Sequence, residues 1–174
     1  MDTRHALVET VLGGLTLVAG KAAGGDALVG LYFPRYRYTP PAWSLGRRVD
    51  APADPVLAQA ASELSEYFAG RRRVFGVPAV TDGDEFQERV WALLREIPFG
   101  ERITYGDIAV ELGDKTLAQP VGQAVGRNPV SIVIPCHRVV GAGGKLTGFG
   151  GGLARKQALL ELEEPTEVKA GRLF

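Results

Sequence analysis

What this 174-residue chain has little of narrows its chemistry first. It has one cysteine, two histidines and one methionine. A single cysteine, Cys136, excludes an internal disulfide. Cys136, His137 and the distant His5 make too poor a ligand set for a zinc site, so no metal is expected. A free thiol suits a reducing compartment. No apolar run is long enough to span a membrane. The start of the chain lacks the net basic opening, clean apolar stretch and cleavage site expected of a secretion signal: Asp2 offsets Arg4, and Glu9 and several glycines interrupt "ALVETVLGGLTLVAG". A soluble, cytoplasmic protein without a membrane partner is expected. Excess charge of one sign is missing too: 20 Lys+Arg face 20 Asp+Glu. That argues against a histone-like protein but leaves room for a local basic surface.

What is present is a chain with 45% apolar residues, enough to bury a core. Two regions are expected, 1–80 and 85–174, joined by "RRRVFGVPAVTDGD". In the first, loosely alternating runs from residue 6 to 33, with turn signals at Gly13-Gly14 and Gly24-Gly25-Asp26, predict antiparallel hairpins. "PRYRYTPPAW" reads as a Pro-rich loop. Asp54 as N-cap and Pro55 at the first helical position open an amphipathic helix that closes before Gly70. In the second region, Phe86, Val90, Leu93, Leu94 and Ile97 recur at helical spacing. A short helix follows, capped by Thr104 and stopped by Gly113, and then another with Pro120 in its first turn. "VSIVIP" is an apolar run that delivers the cysteine. "GAGGKLTGFGGG" is a glycine-dense loop, "LARKQALLELEE" a last helix, and "PTEVKAGRLF" a loose tail.

Three features carry chemistry. The two short helices joined by "GDKT" fit a helix-turn-helix as well as a plain helical hairpin; spacing alone favours the hairpin. Charge pulls the other way, since residues 102–160 hold seven Lys/Arg against three acids, a surplus of four. The glycine loop fails the Walker pattern, because Val139 stands where the first glycine belongs and Leu146 follows Lys145. It is either a backbone that can approach a flat ligand or a surface turn. Cys136 could be a small buried hydrophobe, but His137 beside it suggests an activated thiol. In an extended chain the two would point apart, so a bend or a bridging water is needed. A histidine acting as base wants an acceptor on its other nitrogen. Of Glu161, Glu163 and Glu164, only Glu163 falls between Leu159 and Leu160 on the inward face of the last helix.

With those residues in view, "EFQERVWALLREIPFGERITYGDIA" and "VGRNPVSIVIPCHRVVGAGGKLTGFGGGLARKQALLELE" resemble the O6-alkylguanine-DNA alkyltransferase family over about residues 85–163. The resemblance is looser over the first 70. It implies an α/β N-terminal domain with a ribonuclease-H-like sheet, followed by a mainly α C-terminal domain with a helix-turn-helix. It implies single-turnover transfer of an alkyl group from O6-alkylguanine in double-stranded DNA to Cys136, without a cofactor, by a chain expected to be a monomer. O4-alkylthymine is a second candidate substrate. By resemblance, Cys136, His137 and Glu163 form a relay through water. Tyr105 helps rotate the nucleotide, and Asn128 is the hinge between the helix pair and an active-site strand. The carbonyls of Cys136 and Val139 accept from the guanine amine, Phe149 and Gly150 face O6, and Lys156 matches a lysine of the last helix. Arg138 is read as structural. Thr116, Ala118, Gln119, Gly122, Gln123 and Arg127 are the expected DNA contacts, with Tyr105.

One departure stands out: the family usually carries an arginine where this chain has Gln119. That keeps a second reading open, a damage-binding protein of alkyltransferase type without efficient transfer. A cysteine hydrolase is a third.

Overall fold

The computed structural model describes residues 2–165, so the terminal nine residues of the expected loose tail lie outside the described residues. Strands β1 (Arg4–Thr10), β2 (Gly13–Ala22) and β3 (Gly25–Tyr32) form two antiparallel hairpins. Gly13 and Gly25 take positive φ at the two turns. A two-residue strand, β4 (Arg47–Arg48), adds parallel to β1, giving the order β3-β2-β1-β4. Helix α1 (Pro55–Phe68) packs on this sheet through Leu57, Ala60 and Leu64. The Asp54 side chain accepts from the amides of Val56 and Leu57, both at 3.0 Å, which satisfies two donors of the first turn.

Helix α2 (Glu85–Arg95) opens with a reciprocal cap between Asp84 and Gln87. It buries Val90, Trp91 and Leu94; Ile97 is buried just beyond its end. Two-residue strands β5 (Ile103–Thr104) and β6 (Val139–Val140) pair in parallel. Between them come α3 (Tyr105–Glu111), capped by Thr104, a 3-10 turn at Lys115–Leu117, and α4 (Ala118–Gly126). Helix α5 (Leu153–Leu162) is the last element among the described residues. One buried cluster runs through the sheet, α1 and the helices after it, from Leu15 and Leu57 to Trp91, Val121 and Leu159. No helix among the described residues is long and apolar enough to cross a membrane.

The apolar run before the cysteine differs from an active-site strand. Val130 bridges to Leu31 at the edge of the sheet, and then the chain folds into tight turns, with Ile132 at φ 71 and 1% exposed. A buried β-branched residue in the left-handed region is strained, by roughly 1–3 kcal/mol. The bonds around it hold it there: Val133 N–H reaches Ser131 O at 2.8 Å, Ile134 N–H reaches Val130 O at 3.0 Å, and Cys136 N–H reaches Ile134 O at 2.8 Å. Tertiary packing overrides the β propensity of Val-Ser-Ile-Val-Ile. The chain then turns again through a 3-10 turn at Cys136–Arg138, which supplies the bend between cysteine and histidine.

Candidate active site

A cleft of about 770 Å³ opens beside Cys136, which is 4% exposed and contributes to its wall. Its other walls come from Tyr36 of the Pro-rich loop, Tyr105 at the start of α3, Ala118 and Gly122 of α4, and Phe149 and Gly150 of the glycine loop. Gln119, Gln123 and Arg127 border it on the helix side. The parallel β5–β6 pair explains part of this convergence. It sets Ile103 beside Val139 and Thr104 beside Val140, so Tyr105 begins where the Cys136 turn ends.

Behind the sulfur lies a buried polar network. His137 is 0% exposed and Glu163 2% exposed. His137 Nε2 lies 2.7 Å from Glu163 Oε2. Arg138 donates to both carboxylate oxygens, from Nε at 2.7 Å and Nη2 at 3.0 Å, and from Nη1 to Ile97 O at 2.6 Å. The hydroxyl of Tyr67 in α1 donates to Oε2 at 2.6 Å. Burial alone would raise the Glu163 carboxyl, but bonds from His137 and Arg138 hold it down at about 2. An ionised carboxylate only accepts, so Nε2 of His137 carries the proton and Nδ1 carries the lone pair. Nδ1 is buried with no hydrogen-bond partner among the described residues. Burial, opposed by Glu163, lowers the pKa of His137, which favours the neutral ring that can accept a proton. Burial also pushes the Cys136 thiol up; Asn128 and the charge of Lys156 pull the other way. The resting pair is therefore a neutral thiol beside a neutral imidazole.

The remaining expected residues divide between wall and support. Asn128 is fully buried: Nδ2 donates to Ile134 O at 2.8 Å, and Oδ1 accepts from Val130 N–H at 3.0 Å. It therefore joins the end of α4 to the turns that carry the cysteine. Lys156 is fully buried behind the glycine loop rather than in the cleft wall. Its Nζ donates to Thr147 O at 3.0 Å, with Gly148 O at 3.4 Å and the Tyr105 hydroxyl at 3.5 Å. Burial lowers its ammonium to about 8. Val139 is buried in β6 outside the cleft wall, and its N–H already donates to the Cys136 carbonyl. Thr116 also stands outside the wall; its amide and hydroxyl both donate to Asp114, at 2.9 and 2.6 Å.

Sequence reasoning missed four residues. Tyr36, Arg37 and Tyr38 come from the Pro-rich loop yet line the cleft, and Tyr67 reaches the carboxylate from α1. The Tyr36 hydroxyl donates to Gly126 O at 2.7 Å and Asn128 O at 3.0 Å. Arg127 stacks over the Tyr38 ring at 4.3 Å and Arg37 lies over it at 5.4 Å, which gathers two cations at the rim. A run of aromatic and basic residues in "RYRY" was the available signal. The glycine loop is bare for a reason now visible: a Cβ on Gly150 would stand 2.2 Å from a Tyr36 ring carbon. Gly150→Ser should therefore displace Tyr36, lower stability by about 1–3 kcal/mol and slow any chemistry at Cys136. Thermal denaturation checks this, and an unchanged Tm would contradict it.

The chain is similar to known proteins along most of its length. Residues 85–165 match the family model "6-O-methylguanine DNA methyltransferase, DNA binding domain". The methylated-DNA–protein-cysteine methyltransferase of Mycobacterium tuberculosis is 43% identical over 160 residues, 92% of each chain. That of Methanosarcina acetivorans is 50% identical over 105 residues, 60% of this chain and 67% of the relative. Among solved structures, the M. tuberculosis protein in complex with DNA superposes with a TM-score of 0.79, at 42% identity and 92% of each chain. An O6-methylguanine DNA methyltransferase from Methanococcus jannaschii gives 0.60, at 30% identity, covering 90% of this chain and 92% of that one. With a relative this similar along nearly its whole length, the chain belongs to the methylated-DNA–protein-cysteine methyltransferase family.

Proposed function

We propose that this protein repairs DNA by taking the alkyl group of an O6-alkylguanine onto Cys136, once per molecule. One observation carries the reading: the chain's only cysteine lines a cleft with room for a flipped base, and a buried histidine–glutamate pair stands behind it. The thiol proton passes through a water to Nδ1 of His137, leaving a thiolate. The sulfur attacks the alkyl carbon in line, an S–C bond forms, and the C–O6 bond breaks with its electron pair going to guanine. The hydroxyl of Tyr105 is the donor for the leaving base; burial raises its pKa, which keeps its proton in place until then. A thioether offers water no good leaving group, so the alkylated sulfur is not regenerated. No cofactor or metal takes part in these steps.

The target atom lies inside the duplex, so the nucleotide must leave the stack, at a cost of a few kcal/mol. We read α3 and α4 as a helix-turn-helix whose small face, Ala118 and Gly122, lies in the minor groove. The sheet order, three antiparallel strands with a fourth parallel to the first, supports a ribonuclease-H-like reading of the region up to residue 80. A boundary near 80–85 divides support from chemistry. Arg37 and Arg127, flanking Tyr38, supply phosphate contacts at the rim.

Incubation with a duplex carrying a labelled O6-methyl group tests the function. Label should move to protein and stop at one equivalent. Continued release of small product would point to a hydrolase, and lesion binding without transfer to a damage sensor. Gln119 favours a partial shift toward the latter, since a neutral side chain at the rim fills the vacated stack less well than arginine. Gln119→Arg should raise the rate on duplex DNA several-fold, about 1 kcal/mol, and leave the reaction with free O6-benzylguanine unchanged. Equal duplex rates would mean another side chain performs this step.

A further inference from the structure

Oε2 of Glu163 is crowded. An sp² carboxylate oxygen offers two lone-pair directions, yet three donors approach it: His137 Nε2 at 2.7 Å, Arg138 Nη2 at 3.0 Å and the Tyr67 hydroxyl at 2.6 Å. They must share its charge. The third donor is foreign to the local Cys136–Arg138 turn and to α5. Tyr67 sits at the end of α1, 1% exposed, with its ring 5.3 Å from Phe68, 5.4 Å from Phe75 and 6.3 Å from Phe99 between centroids. Those rings fix the direction of the phenol. A polar group this deep, delivered by the helix that packs on the N-terminal sheet, has no packing need for its oxygen; phenylalanine would fill the same space.

We propose that Tyr67 is a positioning residue of the relay: by donating to Glu163 Oε2 it draws charge away from His137 and so sets how tightly the imidazole holds a second proton. The inference rests on the Cys136–His137–Glu163 reading above. The other charged groups facing His137 are Arg138 from its own turn and Lys156 from α5, and both act in the same sense, against imidazolium. Glu163 alone favours it. Tyr67 weakens that one opposing group, and keeps the ring available as a base at lower pH. It also makes the competence of the cysteine depend on α1 being docked.

Removal of the hydroxyl returns charge to Oε2, so His137 protonates at higher pH. Tyr67→Phe should move the acid midpoint of the single-turnover rate with free O6-benzylguanine up by about half to one pH unit. A residue that served packing alone would change the rate at every pH and leave the midpoint in place. Site-specific 3-fluorotyrosine at position 67, a stronger donor of nearly equal size, should move the midpoint down, and serves as the test if Tyr67→Phe fails to fold. Opposite shifts support the proposal; an unchanged midpoint, or shifts in one direction for both, overturns it. Should the parent protein take up no benzyl group at Cys136, the functional reading falls and this inference falls with it.

Discussion

A Cys136→Ser protein is expected to bind O6-methylguanine duplex as the parent does and to transfer nothing, a loss of at least about a thousandfold. The substitution changes one atom in a wall that is otherwise intact, so binding should persist. The chemistry should not. Serine's hydroxyl is far less acidic than a thiol, so the same imidazole yields far less of the anion that displacement at an alkyl carbon needs. An oxygen is also a harder, less polarisable nucleophile at an alkyl carbon. The network behind the sulfur stays as it is, so the loss reports the nucleophile alone. A serine variant that still cleared the lesion at a comparable rate would remove Cys136 from the chemistry.

Glu163→Gln is expected to damage both stability and reactivity. Arg138 is buried and gives two of its bonds to this carboxylate. A neutral amide leaves the guanidinium without its counter-charge, and breaking a buried pair by removing one partner costs about 3–5 kcal/mol. The amide keeps only one acceptor oxygen for His137, Arg138 and Tyr67 to share, and the charge that fixes the His137 tautomer is gone, so transfer should fall by roughly 10²- to 10⁴-fold. The pH dependence gives a separate check. The folded-state pKa of Glu163 is about 2, below its ordinary 4.5. Its stabilising effect is therefore complete above about pH 4.5 and is lost as pH falls toward 2. The parent's Tm should decline across that window more steeply than the variant's. Parallel curves would mean that the carboxylate contributes nothing to acid stability.

The parts of this molecule that were legible in sequence are those whose cause is local. Asp54 and Thr104 cap helices because a short polar side chain meets amides two or three residues on. The inward place of Glu163 follows from the helical repeat, even though the helix itself closes at Leu162 and Glu163 caps it. What stayed hidden depends on partners far along the chain. Tyr67 is an inward position of an amphipathic helix, and nothing near it says that its hydroxyl meets Glu163. Tyr36, Arg37 and Tyr38 stand in a loop without periodicity, so only the fold places them at the cleft. Ile132 runs against its own propensity, because the turns from Val130 to Cys136 are set by the sheet edge on one side and Asn128 on the other. The bareness of Gly150 was plain in sequence, but its reason, the ring of Tyr36, was not.

The most direct measurement is intact-mass spectrometry of the protein after reaction with duplex DNA bearing one O6-methylguanine, followed by peptide mapping. The protein should gain one methyl group, carried by the peptide containing Cys136, with no second addition at excess DNA. An unmodified protein, or a methyl group on any other residue, would contradict transfer to Cys136.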